Sequence, residues 1–126
     1  MAEDMDANAE ILADLLELED ILSERAENGQ AAVDMFNEKP AGYYDAVLMD
    51  VRMPVMDGLA ATAAIRALER PDAKTIPIIA MTANVFDEDV ERSLEAGMNA
   101  HLSKPIEPDK LYETMTELIR KAEAGA

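Results

Sequence analysis

Cysteine and tryptophan are absent from the 126 residues, and histidine occurs once, as His101. Without thiols the chain has no disulfide, no thiolate nucleophile and no thiolate-ligated zinc. One imidazole cannot build a His-rich metal centre. Basic residues are scarce: 11 Lys and Arg stand against 27 Asp and Glu, for a formal net charge of −16. That deficit argues against nucleic acid or an anionic membrane surface as partner, since both call for basic surface. It favours a basic partner, or a site that concentrates divalent cations. No apolar run approaches the roughly 20 residues that span a bilayer. Met1 to Glu10 is acidic, with no basic segment leading into an apolar one, so no secretory signal is evident and a cytoplasmic setting is expected. What the chain does have is apolar residues, 49% of the total, enough for a packed core rather than disorder. The length suits one domain over residues 1–126.

Two patterns alternate along the chain. Short apolar runs that end on a polar residue read as buried strands: Ala46 to Asp50, Pro77 to Thr82 and, more weakly, Ala100 to Ser103. Ile21 to Ala26 reads as an edge strand. Between them lie segments of helical period. Ile11, Leu12, Leu15, Leu16 and Leu18 mark one; Leu111, Met115, Leu118, Ile119 and Ala122 mark the last. Val90 and Leu94 begin another face, which Gly97 closes as a C-cap. Asp57-Gly58 opens a further helix. Asn28-Gly29 suits a hairpin turn, but Val33 and Phe36 continue at helical spacing, so a strand-to-helix turn is expected there. Strands alternating with helices imply parallel pairing and right-handed crossovers, the α/β class. In such sheets ligands sit beyond the carboxyl ends of the strands.

Those ends supply Asp50, Thr82 and Ser103-Lys104-Pro105, while Glu3-Asp4 stands just before the first helix. Three carboxylates, a hydroxyl and an ammonium are thereby expected on one rim. Close-set carboxylates repel and call for a cation, and oxygen ligands of this kind suit Mg²⁺. An Asp carboxylate beside such an ion can act as nucleophile on phosphorus, with Lys104 and Thr82 meeting the transferring oxygens. Singly, each residue has a blander reading: Asp50 a polar strand end, Thr82 a cap, Lys104 a solvated charge. Asp57 reads as an N-cap, His101 as a half-buried packing residue, the nine Met as core filler and Tyr43 and Tyr44 as loop packing.

Together these segments resemble the receiver domain of bacterial response regulators, the CheY-like family. The matching stretches are Ala2-Glu3-Asp4, Ala26 to Gly29, Tyr44 to Gly58, Pro77 to Asn84 and Glu95 to Pro105, and their wording is most similar to receivers of hybrid sensor histidine kinases. The resemblance implies a doubly wound parallel sheet of flavodoxin type, order 2-1-3-4-5. It implies Asp50 as phosphoacceptor, and Mg²⁺ held by Asp4, Asp50 and the backbone carbonyl of Arg52, with Glu3 acting through water. Thr82 and Lys104 would contact the phosphoryl group, and Thr82 and His101 would serve as switch residues, although His101 departs from the family's usual Tyr or Phe. Arg52 and Asn84 fall where the family varies its dephosphorylation rate, and a cis Lys104-Pro105 bond is implied. The expected partners are a histidine kinase or a His-phosphotransfer protein, and an output protein or attached domain. No DNA-binding output domain is expected within these residues.

One feature departs from that pattern. The family opens on an apolar strand of about five residues, yet only Met1-Ala2 precede Glu3 here, so strand 1 is expected to be truncated or absent. Each buried aliphatic lost with it removes roughly 1.5–3 kcal/mol. A late-assigned start, an engineered truncation and a strand supplied by another molecule, as in a swapped dimer, all account for it. For the chain as written, an unstable monomer or a swapped or rearranged oligomer is expected, with Glu3 and Asp4 poorly fixed. Two rivals to the phosphoacceptor reading follow: a receiver-like interaction module that takes no phosphate, and an Asp-nucleophile phosphohydrolase. The latter wants an acid two residues after the nucleophile, where this chain has Arg52.

Overall fold

Local signals in the sequence set most element boundaries of the computed structural model, which describes residues 1–51, 56–82, 87–103 and 106–124. Helix α1 (Asp6–Leu18) buries only Ala9, Leu12 and Leu16. Helix α2 (Gly29–Glu38) starts behind Asn28, whose side chain accepts the Ala31 N–H at 2.8 Å. The strand-to-helix reading of Asn28-Gly29 therefore holds. Strand β1 (Val47–Asp50) leads to helix α3 (Gly58–Arg66), where Asp57 accepts the Ala60 N–H at 2.8 Å as an N-cap. Then come strand β2 (Ile78–Thr82), helix α4 (Asp87–Ala96), strand β3 (Ala100–Ser103) and helix α5 (Pro108–Ala124). Gly97 ends α4 at φ +109°, as a C′ glycine does.

The strands pair in parallel in the order β1-β2-β3. Asp50 lies opposite Met81, and Thr82 opposite Ser103. Both sheet faces are covered, as continuous apolar strands require. On one side Phe36 of α2 and Ala61 and Ile65 of α3 pack against Met49, Ile78 and Ala80. On the other, Leu12 and Leu16 of α1 and Leu111 and Met115 of α5 pack against Leu48, Ile79 and Met81.

Residues 1–3 add a remnant of a further strand. Ala2 bridges in parallel to both Ala26 and Met49. Its N–H donates to Leu48 O at 2.7 Å and its O accepts from Asp50 N at 3.0 Å. Met1 O accepts from Ala26 N at 2.8 Å, and Glu3 N donates to Ala26 O at 3.0 Å. The lateral order is thus Ala26, Ala2, β1, β2, β3, which is the 2-1-3-4-5 order with its first strand cut to a stub. Glu3 and Asp4 were expected to be poorly fixed. The stub corrects that for Glu3, which is pinned by its own N–H and 1% exposed.

Three other expectations need correction. Ile11 and Leu18 are 60% and 77% exposed, because α1 lies on the outside of the sheet and only the Leu12–Leu16 side faces it. Leu94 is 56% exposed. Within Ile21 to Ala26 only Ala26 forms a bridge, so the segment is no regular edge strand.

Candidate functional site

Each acidic residue is delivered by a different backbone constraint. Asp50 closes β1, and its N–H is spent on Ala2 O, which fixes the Cα beside the stub. Glu3 follows directly; its Oε1 accepts the Met5 N–H at 3.2 Å and an Asn8 Nδ2–H at 3.4 Å, so the first turn of α1 aims it. Arg25 bridges across, donating from Nε to Glu3 O at 3.0 Å and from an NH1 to Asp6 Oδ1 at 2.7 Å. One carboxylate oxygen each from Glu3, Asp4 and Asp50 lies within 4.8 Å of the others. Glu3 and Asp50 are buried, at 1% and 5% exposure, while Asp4 is open to solvent.

Glu3 and Asp50 at that spacing repel by about 3–4 kcal/mol at an effective dielectric of about 20, while solvent screens the exposed Asp4. Burial of Glu3 and Asp50 makes water a poor screen between them. A divalent cation offsets this directly. All-oxygen donors, two of them inside and one facing solvent, suit Mg²⁺, which binds one or two carboxylates and keeps waters for the remaining positions. The donor set fits the ion.

Thr82 ends β2 at 5% exposure, one residue beyond the partner of Asp50, so both stand on the carboxyl edge of the sheet. Lys104 and the Arg52 carbonyl lie outside the described residues, as do Asn84 and the Lys104-Pro105 bond. His101 was expected half-buried. It is exposed, on the last strand of the described sheet.

Several contributors act through contacts that only the fold creates, Gly58 and Gly29 among them although the sequence marks both as helix starts. A Cβ at Gly58 would stand 2.1 Å from Asp50 O, and one at Gly29 would stand 2.1 Å from Met56 O. The Gly58 N–H donates to Val51 O at 2.9 Å and the Gly29 N–H to Met56 O at 3.0 Å, so bare backbone grips both ends of the segment after Asp50. Asn8 aims Glu3. The guanidinium of Arg66 reaches Gly97 O from Nε and an NH2, Ala73 O and Asn99 Oδ1, at 2.8–3.1 Å, and ties α3 to the turn before β3. Asn99 and Asn8 are ordinary polar residues until the fold brings their partners 20 or more residues, or one turn, into range.

Residues 1–116 match the response regulator receiver domain. Hybrid signal transduction histidine kinase I of Dictyostelium discoideum is 38% identical over 123 residues, covering 96% of this chain and 7% of its own length. The receiver domain of the sensor histidine kinase PA1611 from Pseudomonas aeruginosa PAO1, solved with magnesium in the active-site cleft, superposes with a TM-score of 0.84. It is 36% identical, and the match covers 94% of this chain and 93% of that one. The receiver domain of Ssk1, solved with the histidine phosphotransfer protein Ypd1 of Saccharomyces cerevisiae, gives a TM-score of 0.80 at 29% identity, with 93% and 84% coverage. The chain spans 6–13% of the curated relatives it matches. Among the described residues no helix is long and apolar enough to cross a membrane.

Proposed function

The chain belongs to the response regulator receiver domain family, and from that premise we propose that it accepts a phosphoryl group on Asp50, with Mg²⁺ held beside it, as one step of a phosphorelay. It is a signalling domain of a two-component system rather than a metabolic enzyme. The observation that carries the finer reading is the meeting of Glu3, Asp4 and Asp50 oxygens within 4.8 Å at the carboxyl edge of a parallel sheet. The phosphohydrolase alternative lacks its acid two residues after the nucleophile, where this chain has Arg52.

In the proposed transfer an Asp50 carboxylate oxygen attacks phosphorus while the bond from phosphorus to a histidine nitrogen of the donor breaks. The bonding pair stays on that nitrogen, so with a proton on the other ring nitrogen the products are an acyl phosphate on Asp50 and a neutral imidazole on the donor. Asp4, Asp50 and the Arg52 carbonyl would hold the ion, with Glu3 acting through water. A bound Mg²⁺ would supply charge neutralisation at the phosphoryl oxygens. The Thr82 hydroxyl donates a hydrogen bond to the phosphoryl group, and the Lys104 ammonium pairs with it. Movement of Thr82 toward the new oxygens, with His101 following on the neighbouring strand, is the route by which the modification reaches the surface. The partners are a histidine kinase or His-phosphotransfer protein upstream and an output protein or attached domain downstream, in the cytoplasm. Incubation with acetyl phosphate and Mg²⁺, followed by intact mass, tests the reading. It predicts a gain of one phosphoryl group that requires Mg²⁺ and vanishes in Asp50→Asn. A folded sample that gains nothing would instead favour a receiver-like interaction module that takes no phosphate.

A further inference from the structure

Asp4 is the one carboxylate of the trio that packing does not hold, since Glu3 and Asp50 are buried and Asp4 is exposed. The chain on either side of it is held by a single side chain. Arg25 donates from Nε to Glu3 O at 3.0 Å, on the carbonyl of the peptide bond that leads into Asp4. The same guanidinium donates from Nη1 to Asp6 Oδ1 at 2.7 Å, two residues past Asp4 in the first turn of α1. The neighbouring Ala26 O accepts the Glu3 N–H at 3.0 Å, so residues 25 and 26 grip both polar groups of the Glu3 backbone. A planar fork fixes angle as well as distance, which a lone ammonium does not. Asp4 thus stands between two points that one rigid group ties together. The sequence does not mark this role, because the partners of Arg25 lie 22 and 19 residues away.

Stability is a poor reason for that arrangement. The Asp6 side chain is 87% exposed and that of Arg25 27%, and an ion pair so open to water adds little. Charge is a poor reason too, since a guanidinium at the rim of the cluster opposes the entry of a divalent cation. What the fork supplies is rigidity, in the one ligand that solvent would otherwise let swing. Rigidity matters unequally to different ions. Mg²⁺ demands near-ideal octahedral geometry at about 2.1 Å, whereas Ca²⁺ takes about six to eight oxygens at longer range and adapts to a loose site. We propose that Arg25 is a positioning residue that braces the Glu3-Asp4 backbone and thereby makes the acid cluster select Mg²⁺ over Ca²⁺. It acts on the Glu3 carbonyl and on Asp6, not on the reacting atoms. The inference rests on the reading of the cluster as an Mg²⁺ site and adds the residue that decides which ion the site prefers.

The test measures Mg²⁺ and Ca²⁺ dissociation constants of the full chain by NMR titration, following the Asp4 and Asp50 amides. Arg25→Lys keeps the charge and breaks the fork; Arg25→Met removes both. In each, the ratio of the Mg²⁺ Kd to the Ca²⁺ Kd should rise about fivefold or more over wild type. Loss of the charge moves both constants together and drops out of the ratio, as does a general loss of stability. Asp6→Ala alters an exposed side chain, removes one arm of the fork and should shift the ratio the same way by less. Wild type that binds Mg²⁺ at these amides, with the ratio unmoved in the Arg25 variants, would overturn the brace and leave the Mg²⁺ site standing. If the Arg25 variants do not fold, an unmoved ratio in Asp6→Ala overturns it equally. Wild type that takes up no Mg²⁺ would overturn both readings.

Discussion

Gly58 lies against Asp50 so closely that a Cβ on it would come to 2.1 Å from the Asp50 carbonyl oxygen. Glycine at the first turn of α3 is therefore set by the neighbouring strand end, not by the helix. Gly→Ala in a helix ordinarily stabilises by about 0.5–1 kcal/mol. Here the sign reverses. Gly58→Ala is expected to cost about 2 kcal/mol or more by urea unfolding, and to slow phosphoryl uptake from acetyl phosphate, because relief of the clash moves Asp50. Wild-type uptake in a folded Gly58→Ala sample would contradict the positioning role.

The acid cluster makes a prediction whose sign depends on Mg²⁺. Asp4 is exposed, so Asp4→Asn leaves the core untouched and removes one repelling charge. Without Mg²⁺ the variant should match or exceed wild-type stability by a few tenths of a kcal/mol. With Mg²⁺ at ten times the wild-type Kd, wild type should gain about 1.4 kcal/mol and the variant much less. Thermal melts at stepped Mg²⁺ concentrations read both signs. Equal gains in the two proteins would remove Asp4 from the ligand set.

Much of this arrangement was legible in the sequence, and what was not has a common cause. Asp57 was readable because a cap bonds its own helix three residues on, and the turn at Asn28-Gly29 because Val33 and Phe36 continue at helical spacing. Asp50 and Thr82 were readable because an apolar run ending in one polar residue marks the carboxyl edge of a parallel strand. Arg66 was not, since its acceptors on Gly97 and Asn99 lie more than thirty residues away and are backbone or neutral. Ile11 and Leu18 misled because helical period marks an apolar stripe without saying how much of it a neighbour covers. The short N-terminus pointed to a loosely held acid pair. Two residues of strand proved enough for Glu3, because Ala2 bonds to β1 while Met1 and Glu3 bond to Ala26 on the other side.

Arg66 supplies a third expectation. Its guanidinium is half-buried, and desolvation lowers its pKa from the ordinary value. Four hydrogen bonds to Gly97, Ala73 and Asn99 hold it there. Arg66→Met should cost about 2–3 kcal/mol, at about 1.5–3 kcal/mol for bonds to a charged group less the retained packing of the stem. Arg66→Lys should recover only part, since an ammonium cannot reproduce the planar fork. Urea unfolding of the two variants checks the order.

The Met1 amine gives a pH dependence. Burial lowers its pKa from 8.0 to about 6, against the opposing pull of the Glu24 carboxylate. Between those values the unfolded chain keeps the proton and the folded chain has released it, so stability rises with pH across the window. The gain should be about 1–2 kcal/mol, complete above pH 8 and absent below pH 6. N-terminal acetylation should abolish the slope in denaturation curves taken from pH 5.5 to 8.5 (about half a unit beyond each end of the window). A slope that survives acetylation would assign it to another group.

The most direct measurement is the position of the phosphoryl group itself. Chain treated with acetyl phosphate and Mg²⁺ is trapped with borohydride, which reduces an aspartyl phosphate to homoserine, and the modified residue is located by tandem mass spectrometry of the peptides. The predicted result is homoserine at position 50 only, dependent on Mg²⁺ and lost in Asp50→Asn. Homoserine at another aspartate, or at none in a sample that is folded and binds Mg²⁺, would contradict the account.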